Sequence, residues 1–140
     1  MRGRAFLDSA RRLNQGRVEA DWRTAAGRAY YAVLQEAKSA LQRWGFSVPG
    51  RNQLHSWVRL RFVYAADADL KRIGDTLERL SLLRNEADYQ LDHPGRFTKN
   101  TDVQAAIKRS DDAIVLLDRI DADPARRAAA IAAIQATIIP

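Results

Sequence analysis

The chain has 140 residues, 46% of them apolar and 29% charged, with a net charge of +6 and no cysteine. That length suits one domain with a core of its own, and the balance is that of a globular chain rather than a disordered or fibrous one. The absent thiols exclude disulfides, thiolate metal sites and a cysteine nucleophile, and no apolar run approaches the roughly 18 residues that span a bilayer.

The N-terminal MRGRAFLDSARR lacks the continuous apolar segment of a secretory signal. With the missing cysteines, this leads us to expect a cytoplasmic protein without a membrane partner. Positive charge is unevenly spread: between Glu36 and Asp67 there is no acid, but there are Lys38, Arg43, Arg51, Arg59 and Arg61. Such a stretch favours phosphate-bearing partners, or else is an ordinary solvated basic surface.

Helical periodicity dominates. The first segment, about 4–15, sets Phe6, Ala10 and Leu13 on one face before Asn14-Gln15-Gly16 ends it. The second spans about 21–44, with Asp21 as the expected N-cap and a stripe of Ala26, Tyr30, Val33, Ala37, Ala40, Leu41 and Trp44. Gly45 is expected to end it in the left-handed conformation, and Ser47-Val48-Pro49-Gly50 to form a turn. A shorter third helix covers about 52–64, with Leu54, Trp57, Val58, Leu60 and Phe62. The fourth runs over about 67–88, until Asp92-His93-Pro94-Gly95 breaks the chain. A fifth helix starts at a Thr101/Asp102 cap and carries Val103, Ile107, Ile114, Leu117 and Ile120. A last short helix follows Pro124, with Ile131, Ile134 and Ile138. No alternating strand pattern, hairpin signal or internal repeat interrupts this. The expectation is an all-α fold: one domain over 1–140, an up-down bundle of about four main helices plus short ones, with its core over about 4–120. The helix over 124–140 packs on that core or on a second copy.

The fourth helix breaks its own pattern. Steps of three and four from Leu70 reach Ile73, Leu77 and Leu80, then Arg84, then Ala87. A guanidinium is costly to bury unpaired, so either this helix end leaves the core or Arg84 has a partner. A phosphate suits its planar fork of donors; so does the carboxylate of Asp88 one turn on, or a carboxylate across a dimer interface. On the second helix, Tyr31 points about 160° away from Val33, beside Arg28 and Gln35. It is expected on an outer face that contacts a second copy or nucleic acid. The two histidines, His55 and His93, lie 38 positions apart and make no metal motif. There is no phosphate-cradling glycine motif either, so neither metal nor cofactor is expected. His55, at the head of the third helix near Arg51 and Trp57, reads as a capping or core residue.

Two stretches taken together resemble the HEPN superfamily: AAGRAYYAVLQEAKSAL over 25–41 and Leu83-Arg84-Asn85-Glu86-Ala87-Asp88-Tyr89, with His55-Ser56-Trp57-Val58 between them. The resemblance covers about 4–120 and is nearest to small stand-alone prokaryotic HEPN proteins. It implies a helical bundle that dimerises. Many HEPN proteins are metal-independent ribonucleases, whose R-x(4–6)-H motifs meet at the dimer interface. Others bind RNA or nucleotides without cutting, and many small ones are encoded beside a minimal nucleotidyltransferase as toxin–antitoxin pairs. Carried over residue by residue, Arg84 matches the motif arginine and Asn85 the polar residue after it. Where the motif histidine belongs stand Tyr89, Gln90 and Leu91, and His93 follows Arg84 with eight residues between.

The resemblance therefore implies a homodimer that binds RNA or a nucleotide through Arg84, without an intact nuclease motif. Asn85, Asp88 and Tyr89 shape that site, and Arg28 and Tyr31 add a contact surface. The implied setting is a prokaryotic toxin–antitoxin or defence-type system, with a minimal nucleotidyltransferase as partner. Two alternatives stay open. One is a metal-independent endoribonuclease using Arg84 and His93, the histidine as general acid and base. The other is a structural dimerisation protein whose Arg84–Asp88 pair fixes an interface.

Overall fold

The computed structural model describes residues 2–92 and 95–140. Their regular structure consists of α1 (Gly3–Asn14), α2 (Glu19–Arg43), α3 (Arg51–Val63), α4 (Ala68–Tyr89), a 3-10 turn (Gly95–Phe97), α5 (Thr101–Ala122) and α6 (Pro124–Gln135). None of the described residues forms a strand, so the fold is the all-α helical bundle that the periodicity predicts. No helix among them is long and apolar enough to cross a membrane.

α2 is the hub. It packs against α1, α4 and α5, and more lightly against α3. Small residues make this crowding feasible: Ala25, Ala29 and Ala32 are buried, as are Ala26, Val33 and Ala37 on the predicted stripe. α1 begins almost in contact with the α2 backbone, because a Cβ at Gly3 would stand 2.5 Å from the Ala32 carbonyl oxygen. On another side, the buried Ser110 hydroxyl of α5 donates to the Ala29 carbonyl oxygen at 2.9 Å. The face expected to be outermost is thus covered by α1. Tyr31 is half-buried, its ring 6.0 Å from that of Phe6. A single stripe predicts one buried face; a central helix has more than one.

Helix ends follow local chemistry with some corrections. Gly45 has φ 93°, and Phe46 N–H donates to the Leu41 carbonyl while Gly45 N–H donates to that of Gln42. That is the paired closure that glycine permits after a helix. α2 starts two residues before Asp21, at Glu19, and its N-cap Val18 offers no side-chain bond. Asp21 sits in the first turn instead, where a carboxylate favours the positive helix end. α5 is capped by Asn100 without a side-chain cap bond; the Asn100 amide donates to the Asn14 carbonyl. Asp67 caps α4 as an N-cap should, accepting from Asp69 N–H and Leu70 N–H at 3.0 and 3.1 Å.

The C-terminal helix packs on the core. Ala130 and Ile134 of α6 are buried within it, whereas Ile138 lies beyond the helix and is exposed, which corrects its expected place on the apolar face. Arg126 holds α6 in place. Its Nη1 and Nη2 each donate to one oxygen of Asp67 at 2.8 Å, and Nη2 reaches Asp69 at 3.0 Å. Burial pushes the Asp67 carboxyl up, but Arg126 and the Leu70 and Asp69 amides outweigh it and hold the pKa below the ordinary 3.8. The resulting stability is complete above pH 3.8 and is lost as pH falls through the depressed value. Asp67→Ala removes both the cap and the fork, so unfolding in urea at pH 7 should give a stability lower by about 2 kcal/mol. At pH 2 the difference between variant and wild type should shrink.

Candidate functional site

The site is built where α2, α3 and α4 meet, near the C-terminal end of α4. Arg84 does not leave the core and is no ordinary surface residue: its side chain is only 21% exposed. Nη2 donates to the Tyr31 hydroxyl at 3.0 Å, and Nη1 makes a long bond of 3.4 Å to Asn85 Oδ1. Asp88 Oδ2 lies 2.9 Å from Nε. The Nε–H nevertheless has no hydrogen-bond acceptor, so the carboxylate compensates charge without lying along the donor direction. The guanidinium carbon lies 5.5 Å from the Tyr31 ring centre and 5.8 Å from that of Tyr89. Tyr89 itself is 72% exposed, so it flanks the site from solvent.

Arg28 and Tyr31 join this site from α2. Together with Phe6, Gly27, Gln35 and Asp88 they line a groove of about 470 Å³ beside Arg84. The Arg28 guanidinium lies 5.6 Å from the Phe6 ring centre. All of the α2 and α4 residues expected to contribute therefore gather in one place. His93 lies outside the described residues.

α3 supplies what the sequence reading missed. His55 Nδ1 and the Tyr30 hydroxyl share a hydrogen bond of 2.6 Å, and their rings stack with centres 5.7 Å apart. The His55 ring also meets Tyr31 edge-on at 6.2 Å. His55 is thus no helix cap; it belongs to the aromatic cluster that holds Arg84. One turn on, Arg59 has a buried Nε with no hydrogen-bond partner. Only the scarcity of histidine marked His55 in the sequence, and no spacing relates α3 to a stripe on α2 or α4.

The electrostatics are lopsided. Burial holds the Tyr30 phenol above its ordinary 10.0, with Ser81 and the charges of Arg84 and Arg59 pulling the other way. Burial, and then the Arg84 charge, hold His55 below its ordinary 6.5. The imidazole is neutral at pH 7, and Arg84 faces one carboxylate and a pair of phenols.

A second arginine fixes the geometry. Arg23 of α2 is buried and donates from Nη1 to the carbonyl oxygens of Glu86 and Ala87 at 3.1 and 3.0 Å, and from Nη2 to that of Gln90 at 3.3 Å. Its Nε donates to Glu19 at 2.9 Å, and its guanidinium lies 4.6 Å from the Phe97 ring centre. The turn that carries Asp88 and Tyr89 is thereby locked to α2.

A family model described as the HEPN domain matches residues 1–120. The chain belongs to the HEPN family. No curated protein and no solved structure matches it. HEPN membership is consistent with a nucleotide- or RNA-related helical protein. Among the described residues no group of acidic and histidine side chains is arranged to hold a metal ion.

His55 makes a pH prediction. Its pKa is lower in the folded protein than the ordinary 6.5, so the unfolded chain binds the proton more readily. Stability should be level above pH 6.5 and fall as pH drops below it. Thermal melts of wild type between pH 7.5 and 5 should show that decline, and His55→Gln should flatten it.

Proposed function

We propose that this HEPN protein binds RNA or a nucleotide, with the Arg84 guanidinium gripping a phosphate. The observation that carries the reading is the half-buried Arg84. Its Nε–H lacks an acceptor, and it stands near His55, Arg59 and two tyrosines with one carboxylate in contact. A phosphate oxygen supplies the acceptor and the negative charge together. Asn85, Asp88 and Tyr89 border the bound group. Tyr89, exposed beside Arg84, offers a face on which a base stacks. Arg28, Gln35 and Tyr31 extend the contact along the neighbouring groove. Arg84→Ala should weaken binding of a short oligoribonucleotide about 10- to 100-fold by fluorescence anisotropy. Arg84→Lys should not restore it, because an ammonium cannot reproduce the fork. Unchanged binding in Arg84→Ala would leave the arginine a structural residue paired with Asp88.

One observation favours a second reading, metal-independent cleavage of RNA. Burial, and then the nearby Arg84 charge, hold the His55 pKa below 6.5, which leaves a neutral imidazole at pH 7. In the tautomer whose Nδ1–H donates to the Tyr30 oxygen, Nε2 is free to accept a proton. It would take the proton of a ribose 2′-hydroxyl as O2′ bonds to phosphorus and the P–O5′ bond breaks. That proton would return to O5′, giving a cyclic phosphate and a 5′-hydroxyl. Arg84 would stabilise the charge gathering on the phosphate. His93 remains the alternative acid and base. Incubation with mixed RNAs in excess chelator separates the readings. Cutting that His55→Ala abolishes and His93→Ala spares supports His55, and the reverse supports His93. No cutting by wild type leaves binding alone.

The same reading includes a homodimer and a setting in a prokaryotic toxin–antitoxin or defence-type system, with a minimal nucleotidyltransferase as partner. Leu82 and Tyr89, seven residues apart on one face of α4, are 65% and 72% exposed, with Leu91 at 66% just beyond. Where two Arg84 sites meet in such a dimer, an anion between them would relieve their repulsion. Leu82→Glu with Tyr89→Glu should give a monomer by light scattering where wild type gives twice that mass.

A further inference from the structure

α4 and α5 run antiparallel, and a long groove lies between them on the solvent side. One half, of about 630 Å³, pairs the start of α4 with the end of α5 and includes Lys71, Arg72, Arg109 and Arg119. The other half, of about 450 Å³, shares Arg109 and runs on past Arg79 and Arg96 to Asn85 and Gln90. Asn85 neighbours Arg84 in sequence and takes its long hydrogen bond, so the groove ends at the rim of the candidate site.

The charges in this groove are not balanced internally. Of its acids, Asp75 lies 2.9 Å from Arg79, Asp112 lies 3.3 Å from Lys108 and Glu86 lies 3.8 Å from Arg96, which leaves Asp102 to face the remaining cations. Arg72, Arg109 and Arg119 make no ion pair and no side-chain hydrogen bond to any described residue. Along α5, Arg109 and Arg119 stand about 15 Å apart at the usual helical rise. The floor between them is aliphatic, from Ile73, Ala113 and Leu116, and no aromatic ring lines either half. A surface with fixed cations and no stacking platform grips a backbone rather than bases.

We infer that the α4–α5 groove binds the phosphodiester backbone of single-stranded RNA and leads the strand to Arg84. The inference rests on the RNA reading given above and adds a second contact surface, independent of sequence, on the opposite side of α4 from α2. Short ligands occupy the Arg84 site alone. Longer ones engage Arg72, Arg109 and Arg119 as well.

The test compares a fluorescein-labelled trimer and a dodecamer of uridylate across a salt series. For wild type, the dodecamer should bind more tightly and with the steeper dependence of log K on log salt. Arg72→Ala with Arg109→Ala and Arg119→Ala should lower the dodecamer slope by about 2, since each lost phosphate contact removes ~0.7. That amounts to about 100-fold in affinity at 0.1 M salt, with trimer binding unchanged. The corresponding triple lysine variant keeps the charges and should recover the dodecamer slope. Equal dodecamer slopes in wild type and triple alanine variant overturn the groove while leaving the Arg84 reading intact. Failure of the lysine variant to recover the slope also overturns it, since the arginines then act through structure rather than charge. Wild type that binds neither ligand overturns the RNA reading and the groove with it.

Discussion

The closure of α4 by Arg23 is the contact on which the rest of the site depends. A helix leaves its last carbonyl oxygens unsatisfied and gathers partial negative charge there. α4 places no basic residue in its own last turn to answer this. α2 answers instead, with a buried guanidinium that serves the Glu86, Ala87 and Gln90 carbonyls at once. Without it the buried Ala87 carbonyl would lose this donor away from water. Because Arg23 and Tyr31 sit two turns apart on α2, the contact that closes α4 also sets where Arg84 meets the Tyr31 hydroxyl.

With that register fixed, the site gains its sign. The helices bring cations from α3 and α4 around two phenols and an imidazole, and Asp88 is the carboxylate that touches Arg84. Donors fixed in a partly dry setting are preorganised, as the proposed phosphate contact requires. His55 feels the same setting: burial first, and then the positive neighbour Arg84, make its imidazole reluctant to become positive itself.

Much of this was legible in the chain, for reasons that particular residues make plain. Leu70, Ile73, Leu77 and Leu80 repeat at helical spacing and are buried as that spacing demands, which made Arg84 conspicuous as the interruption. Gly45 and Asp67 announced helix boundaries because their roles are local. Tyr31 was misplaced because one helix in isolation cannot show how many neighbours it has. Arg23 and His55 were missed for a related reason: each acts on a helix distant in sequence, Arg23 on a carbonyl cluster 63 to 67 residues away. Pattern along a chain reports on faces; it is silent on which faces meet.

The Arg126 fork gives the molecule an uneven hold on its own parts. α6 lies beyond the residues matched by the HEPN domain, and it is short and rich in alanine. It buries Ala130 and Ile134 in the core, packs Ile131 and Ala133 partly against it, and is moored by charge to Asp67 and Asp69. A segment with so little apolar surface in play opens at lower free energy than the helices around α2. Its amides would exchange with solvent while those of α2 stay protected. Because the mooring is electrostatic, ionic strength would set how often α6 lifts. The far end of α4, clasped by a buried arginine, would not feel that change.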